Sequence, residues 1–386
     1  MRSTTRKDIS SWSVWGYLPA TAILGFVWMQ GIVFSQAPRT LRLNTGKEIF
    51  EAACVACHGH DGKGQPQTTL GFEPPDTFPD FTDCNATTRE ADADWNAIIH
   101  NGGASRGFSP IMPSFREALN SDQIAKVIQH LRGFCTERSW PPGELNLPRP
   151  LFTEKAFPED EWVLTTSLNA SGAPGVTSTF TYEKRFGAKN QIEIKAPFTF
   201  QRPFPGSWYG GTGDMSLGFK RLLASSKRTG SIVSLFGEVT LPTGNRARSL
   251  GQGAAVYEGF AAYAQLLPKN SFLQFQGGVE MPSNTTVVRK TAFWRTAVGT
   301  SLAQDQGFGR LWSPMMEVLA VRPLVHGATT TWDLVPQMQV TLNKCQHIRA
   351  SAGVRVPVSN TVNRSTAIVF YLLWDFFDGG LLSGWK

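Results

Sequence analysis

Charged residues are scarce in this 386-residue chain, at 17%, against roughly a quarter in an ordinary soluble protein. No run of five or more Lys or Arg occurs, although the net charge is +7. Nucleic acid is therefore not an expected partner, and the positive balance points to an acidic protein or an anionic membrane surface. Beyond Thr153 there is no nucleophile elbow, no His-x-x-x-His and no EF-hand loop, and His326 and His347 stand isolated. Nothing positive argues for catalysis there, so the chain is expected not to be an enzyme. Cysteine is confined to Cys54, Cys57, Cys84, Cys135 and Cys345, with a single Cys-x-x-Cys pair. That lack of a second pair argues against a zinc site.

What is plentiful is glycine (37 residues) and aromatic side chains (11%), within a hydrophobic fraction of 41%. This excludes a disordered chain and favours β-structure with a lipid-facing surface. The length suits two or three domains. Arg2, Arg6 and Lys7 precede an apolar stretch, Gly16–Phe34, followed by Ser35 and Ala37. Residues 1–37 are thus expected to be a signal peptide or, given the long apolar core and Pro38, an uncleaved anchor. Either exports the remainder to a compartment that permits disulfides.

Residues 40–138 carry the helical period. Ile49, Phe50 and Ala53 recur at helical spacing, as do Trp95, Ile98 and Ile99 before Gly102 and Gly103. Asn120 and Gln123 form a capping box for a helix carrying Ile124, Val127, Ile128 and Leu131. Residues 139–160 are proline-rich and are expected to be a semi-stiff linker. From residue 161 to 386 the period becomes two. Ile192, Ile194, Ala196, Phe198 and Phe200 oppose Gln191, Glu193, Lys195 and Thr199, and Ile348–Val358 alternates likewise. About twelve such strands, close to 19 residues apart, are what a membrane barrel needs. Long connections (Gln201–Gly213, Pro242–Gln252, Pro282–Lys290, Arg322–Thr330) alternate with short ones (Gly187–Lys189, Pro268–Asn270, Asn343 and Lys344). The expected fold class is therefore multidomain: an all-α domain followed by an all-β antiparallel membrane β-barrel. A soluble β-sandwich or lipocalin-like barrel is the alternative, because alternation alone does not say which row meets lipid.

Cys54-Val55-Ala56-Cys57-His58 is the Cys-x-x-Cys-His attachment sequence for c-type haem. Two thiols a helical turn apart each reach a haem vinyl group, and the following imidazole meets the iron. Cys54, Cys57 and His58 are thus expected to hold one covalent haem c. Met112, flanked by Pro110 and Pro113, is the expected sixth ligand, since a thioether suits electron transfer. Its rivals are His60, too near the proximal side, and His100 and His130, on expected helices. Cys84 and Cys135 are expected to pair, closing a loop of about 52 residues worth roughly 4 kcal/mol in the chain-entropy model. The alternative is two separate buried thiols. Cys345 is left over, read as an inert buried thiol beside the Asn343-Lys344 turn.

Residues Gly46–Cys135 resemble class I, monohaem cytochromes c, through GKEIFEAACVACHGHDGKG, IIHNGG and PIMPSFREALNSDQIAKVIQHLRGF. The resemblance covers about a quarter of the chain. It implies His58 proximal, Met112 distal, the Gly59–Gly64 loop around the haem edge, and terminal helices crossing at Phe50 and Leu131. Gly213–Leu223 (GDMSLGFKRLL) and Leu241–Asn245 (LPTGN) resemble outer-membrane barrels associated with phenol degradation or transport. Together these imply an electron-transfer protein anchored at the bacterial outer membrane, with the haem domain facing the periplasm. Its expected partners are soluble cytochromes or a quinol-linked donor chain, outer-membrane lipid and, if the lumen is open, a small solute. The alternative is a soluble periplasmic two-domain redox protein with a β-rich binding or catalytic domain; a redox-sensing gate would need a bistable element.

Overall fold

The computed structural model describes residues 43–65, 78–202, 206–305, 308–362 and 364–376. The expected signal or anchor segment lies outside the described residues. Among them no helix is long and apolar enough to cross a membrane.

Among the described residues the first part holds five α-helices: α1 (Gly46–Ala53), α2 (Val55–His58), α3 (Cys84–Thr87), α4 (Asp92–Asn101) and α5 (Ser121–Arg132). Capping boxes start the two amphipathic ones, Thr45 with Glu48 on α1 and Asn120 with Gln123 on α5. Each box satisfies two backbone N–H groups that a helix start would leave without partners. Ile49, Phe50, Ile124, Val127, Ile128 and Leu131 are buried in one cluster, as their spacing requires. The α1–α5 crossing is close: a Cβ on Gly46 would lie 2.0 Å from the Lys126 carbonyl oxygen. A disulfide joins Cys84 to Cys135, with Cα atoms 5.1 Å apart. It ties α3 to the chain just beyond α5.

The second part is one antiparallel sheet. Its strands are β1 (Glu161–Asn169), β2 (Gly175–Phe186), β3 (Asn190–Gln201), β4 (Tyr209–Thr212), β5 (Met215–Ser226), β6 (Ser231–Leu241) and β7 (Val256–Leu267), then β8 (Ser271–Pro282), β9 (Thr291–Thr300), β10 (Leu302–Ala303), β11 (Leu311–Pro323), β12 (Thr331–Thr341), β13 (Ile348–Pro357) and β14 (Ala367–Asp375). The short β4 and β10 lie beside β3 and β11, and the other twelve run as neighbours in chain order. The sheet closes on itself, β1 pairing with β14 from Glu161 opposite Asp375 to Asn169 opposite Ala367. This is a closed twelve-stranded barrel, which leaves no edge to be satisfied by lipid.

Its polarity is inverted relative to a soluble protein. On β3, Ile192, Ile194, Phe198 and Phe200 are exposed, while Gln191 and Glu193 are completely buried. Phe180, Leu217, Phe219, Leu223, Leu235, Phe370 and Leu372 likewise face outward, and Glu183, Lys220, Gln274, Gln276, Glu317 and Gln339 face inward. An apolar outside is stable against hydrocarbon and costly against water. The soluble sandwich or lipocalin-like alternative places its apolar row inside and so does not describe this molecule.

The proline-rich stretch read as a linker runs through the barrel interior. Leu145, Leu147, Ala156 and Phe157 join a buried cluster with Leu222, Ile232, Phe236, Phe260 and Phe272 from the wall. Backbone N–H groups of this plug donate to inward side chains: Leu151 and Thr153 to Glu317 (2.8 and 2.7 Å), Glu154 to Gln276 (3.1 Å) and Glu159 to Gln191 (2.7 Å). Buried backbone N–H groups need partners, and here side chains of the wall supply the acceptors. The Arg149 guanidinium pairs with Glu154, Glu161 and Glu183, and Lys155 with Glu159. Prolines suit this path because they bring no amide donor into the lumen.

The helical part docks on the short-turn rim of the barrel. Lys227, in the β5–β6 turn, binds Asp92 and Glu144 at 2.5 and 2.6 Å. His347 lies 2.8 Å from Glu90, and Arg89 pairs with Asp160, where the plug ends. The Arg106 guanidinium donates to the Phe308 carbonyl at 2.9 Å, and the Cys345 thiol to the Arg106 carbonyl.

Candidate functional site

Cys54 closes α1 and opens α2, so a single helical turn carries Cys57 and His58 beneath it. Both thiols are half-buried and neither is in a disulfide. Burial first, and then the neighbouring Cys57, push Cys54 up to about 11. The protein alone therefore keeps it a neutral, weakly nucleophilic thiol. Burial lowers His58, which keeps its ring neutral and able to offer a lone pair. Phe81 lies 5.1 Å from the His58 ring centroid and Phe78 meets it edge-on at 6.1 Å.

The Gly59–Gly64 loop returns to this turn: the Gly64 N–H donates to the His58 carbonyl at 2.9 Å and the Gln65 N–H to the Cys57 carbonyl at 3.0 Å. Gly59 has φ +71 and Gly64 φ +85, and a Cβ on Gly64 would meet that of Phe78 at 2.6 Å. Both positions favour glycine, for conformation and for space.

Met112 packs, partly buried, against the same apolar cluster as Cys54, Val55 and Trp95. Its loop is fastened to α4: the Gly103 N–H donates to the Met112 carbonyl at 3.1 Å, and the Phe115 and Arg116 N–H groups donate to the Ile99 and His100 carbonyls. His60 is exposed. The His100 ring stacks on Phe308 of the barrel at 4.4 Å. The His130 ring packs 5.2 Å from both Phe50 and Phe134.

The Cys54 thiol and the Met112 thioether thus border one apolar cluster, the His58 ring meets it at Phe81, and Cys57 lies on the same helical turn as His58; together they make the donor set a covalently attached haem requires. The buried His58 Nδ1 makes no hydrogen bond among the described residues. The residues present fit the group: Cys54 and Cys57 would form the thioethers, and His58 and Met112 the axial bonds. Residues 66–77, outside the described residues, follow directly on the Gly59–Gly64 loop.

Periodicity did not reveal the side chains that join the two parts. Arg106, Arg149, Glu317 and Lys227 sit in stretches read as loop, linker or strand, and their partners are distant in sequence. The one available signal was acidic residues on the polar strand rows (Glu161, Glu183, Glu193, Glu317), opposite a linker holding Arg149 and Lys155.

No curated protein sequence matches the chain. Among solved structures, an outer-membrane channel from Pseudomonas putida F1 is 13% identical, covering 60% of this chain and 100% of its own, with a TM-score of 0.41. The NanC porin is 7% identical over 55% of this chain and 98% of its own (TM-score 0.40), and a KdgM porin bound to oligogalacturonate is 6% identical over 56% and 99% (TM-score 0.38). These likenesses are loose and bring no substrate to this chain. The Cytochrome c family model matches residues 43–134. The first part of the chain is therefore a cytochrome c domain, and its cofactor is covalently bound haem c.

Proposed function

We propose that this protein is a one-electron carrier fixed to the bacterial outer membrane, its cytochrome domain on the periplasmic rim of a plugged β-barrel. The observation that carries the reading is a cytochrome domain docked through charged contacts on the short-turn rim of a barrel whose exterior is apolar. Short turns of outer-membrane barrels face the periplasm, which sets the orientation.

When bound, the haem supplies reversible one-electron chemistry. Cys54 and Cys57 hold its edge, His58 offers a neutral imidazole, and Met112 on its fastened loop supplies a soft ligand that favours the reduced state. The apolar cluster around them keeps water out. Exposed Phe108 and Ile111 flank the Met112 loop, a surface that suits brief contact with a soluble cytochrome or the last member of a quinol-linked donor chain. The plug packs against the barrel wall from inside, which favours exchange on the periplasmic side over exchange with a partner seated in the lumen. The barrel serves as anchor rather than solute pore. A soluble redox protein with a β-rich binding domain is disfavoured by the same apolar exterior.

The test is a haem-stained gel of outer membranes from cells with the cytochrome c maturation machinery, with and without boiling. A haem-positive band in that fraction that shifts on heating is expected. A haem-positive band only in the soluble periplasm would overturn the anchoring.

A further inference from the structure

The barrel's short turns grip the cytochrome domain at the place where the Met112 loop is built. Arg106, 5% exposed, ends the 3-10 turn Gly103–Arg106 that follows α4. Its guanidinium donates to the Phe308 carbonyl of the β9–β11 turn at 2.9 Å and to Asp94 Oδ1 at 3.2 Å. Its own carbonyl accepts from the Cys345 thiol of the β12–β13 turn. On the other side of the two glycines, the His100 ring lies flat on Phe308, with 12° between the planes. Gln346 joins the two barrel turns by donating to the Gly309 carbonyl at 2.9 Å.

Between His100 and Arg106 lie Gly102 and Gly103, which carry Met112. The Gly103 N–H holds the Met112 carbonyl, and the Phe108 N–H folds back onto the Gly103 carbonyl at 3.0 Å. A Cβ on Gly102 would lie 3.0 Å from the Met112 carbonyl oxygen and one on Gly103 3.2 Å from the Met112 Cβ. The approach leaves almost no play, so a shift of this turn moves Met112 with it. His100 also holds the outgoing side of the loop, its carbonyl accepting from the Ser114 hydroxyl at 2.7 Å.

We propose that the barrel rim positions the haem's distal ligand: Phe308 and Cys345 clamp His100 and Arg106, and these set the loop that presents Met112. Arg106 and Phe308 are positioning residues and touch no reacting atom. The inference rests on the reading of Met112 as the axial thioether. Its consequence is that ligation, and with it the potential of the haem, is tied to docking on the barrel.

The test uses the full chain, haem-loaded and purified from outer membranes. It compares Phe308→Ala, Arg106→Gln and Arg106→Lys with the parent. Two spectroscopic readouts report the thioether–iron bond: the weak long-wavelength charge-transfer band of the ferric protein and carbon monoxide binding by the ferrous protein. The parent is expected to show the band and resist carbon monoxide. Arg106→Gln should weaken the band and raise carbon monoxide affinity roughly ten-fold, the scale of one lost charged hydrogen bond, and Phe308→Ala, which keeps the backbone carbonyl but removes the ring stacked on His100, should shift both readouts in the same direction. Arg106→Lys, which keeps the charge, should restore part of it. Phe308→Ala leaves every cytochrome residue native, so a folding failure of the Arg106 variants does not decide the matter. Loaded, heat-shifting Phe308→Ala protein that keeps the parental band and resistance would overturn the clamp. A parent without the band would instead remove the Met112 reading beneath it.

Discussion

Asp94 is the residue at which docking becomes sensitive to pH. It lies in the first turn of α4 with Arg106 at 3.2 Å, its side chain 26% exposed. Burial, and then Glu90, push it up to about 7 from the ordinary 3.8, against the pull of Arg106, His347 and Arg349. A carboxyl raised in the folded state contributes most to stability below its unfolded pKa. That contribution is lost as pH climbs from about 4 through about 7. Asp92 has the opposite sign: burial raises it, but Lys227 and Arg132 outweigh burial and lower it. Its contribution is lost only in acid, as pH falls below the ordinary carboxylate range. The docked form should therefore gain thermal stability as pH drops from 8 to 5, and Asp94→Asn should flatten that rise. Haem-absorbance melts across this range check it, and an unchanged slope in the variant would exclude Asp94 as the source.

At the scale of an element, the plug packs inside the barrel. Its backbone is held by wall side chains and its charge by the Arg149 cluster, with Glu154 at 3.3 Å and Glu183 at 2.7 Å. Removing one member of a buried ionic network leaves the others uncompensated, at a cost of about 3–5 kcal/mol. Arg149→Ala should accordingly lower the temperature at which the band shifts on a semi-native gel. Replacing residues 145–158 with a flexible Gly/Ser segment should open the lumen. Planar bilayers should then show stepwise ion conductance that the parent lacks. A parent that conducts like an open porin would defeat the closed-anchor reading.

For the whole molecule, the arrangement of rim, plug and cytochrome domain sets a sidedness. The helical domain packs against the short turns, and the long connections, 242–255 among them, lie at the opposite end. In intact cells, protease added outside should leave the haem domain whole. The same protease should cleave it once the outer membrane is permeabilised. Cleavage of the haem domain in intact cells would reverse the orientation proposed here.

Much of this was written locally in the chain. Cys-x-x-Cys-His, the capping box at Asn120 and Gln123, and the helical recurrence of Ile124 to Leu131 act over one or two turns, and periodicity reads such features. The strands of period two, and the alternation of long and short connections, were legible for the same reason. Which row faces outward was not, because alternation is symmetric. Only closure of β1 on β14, with Glu183, Glu193 and Glu317 enclosed, assigns the apolar row to the outside. The stretch 139–160 read as a linker because proline content reports stiffness and not location. Its place in the lumen comes from partners up to 190 residues away, such as Gln339 for the Arg149 N–H. The clamp on the Met112 loop is of the same kind: Arg106 meets Phe308 across 202 residues. Local periods settle elements, whereas these contacts exist only once a closed barrel brings distant side chains to one rim and one lumen.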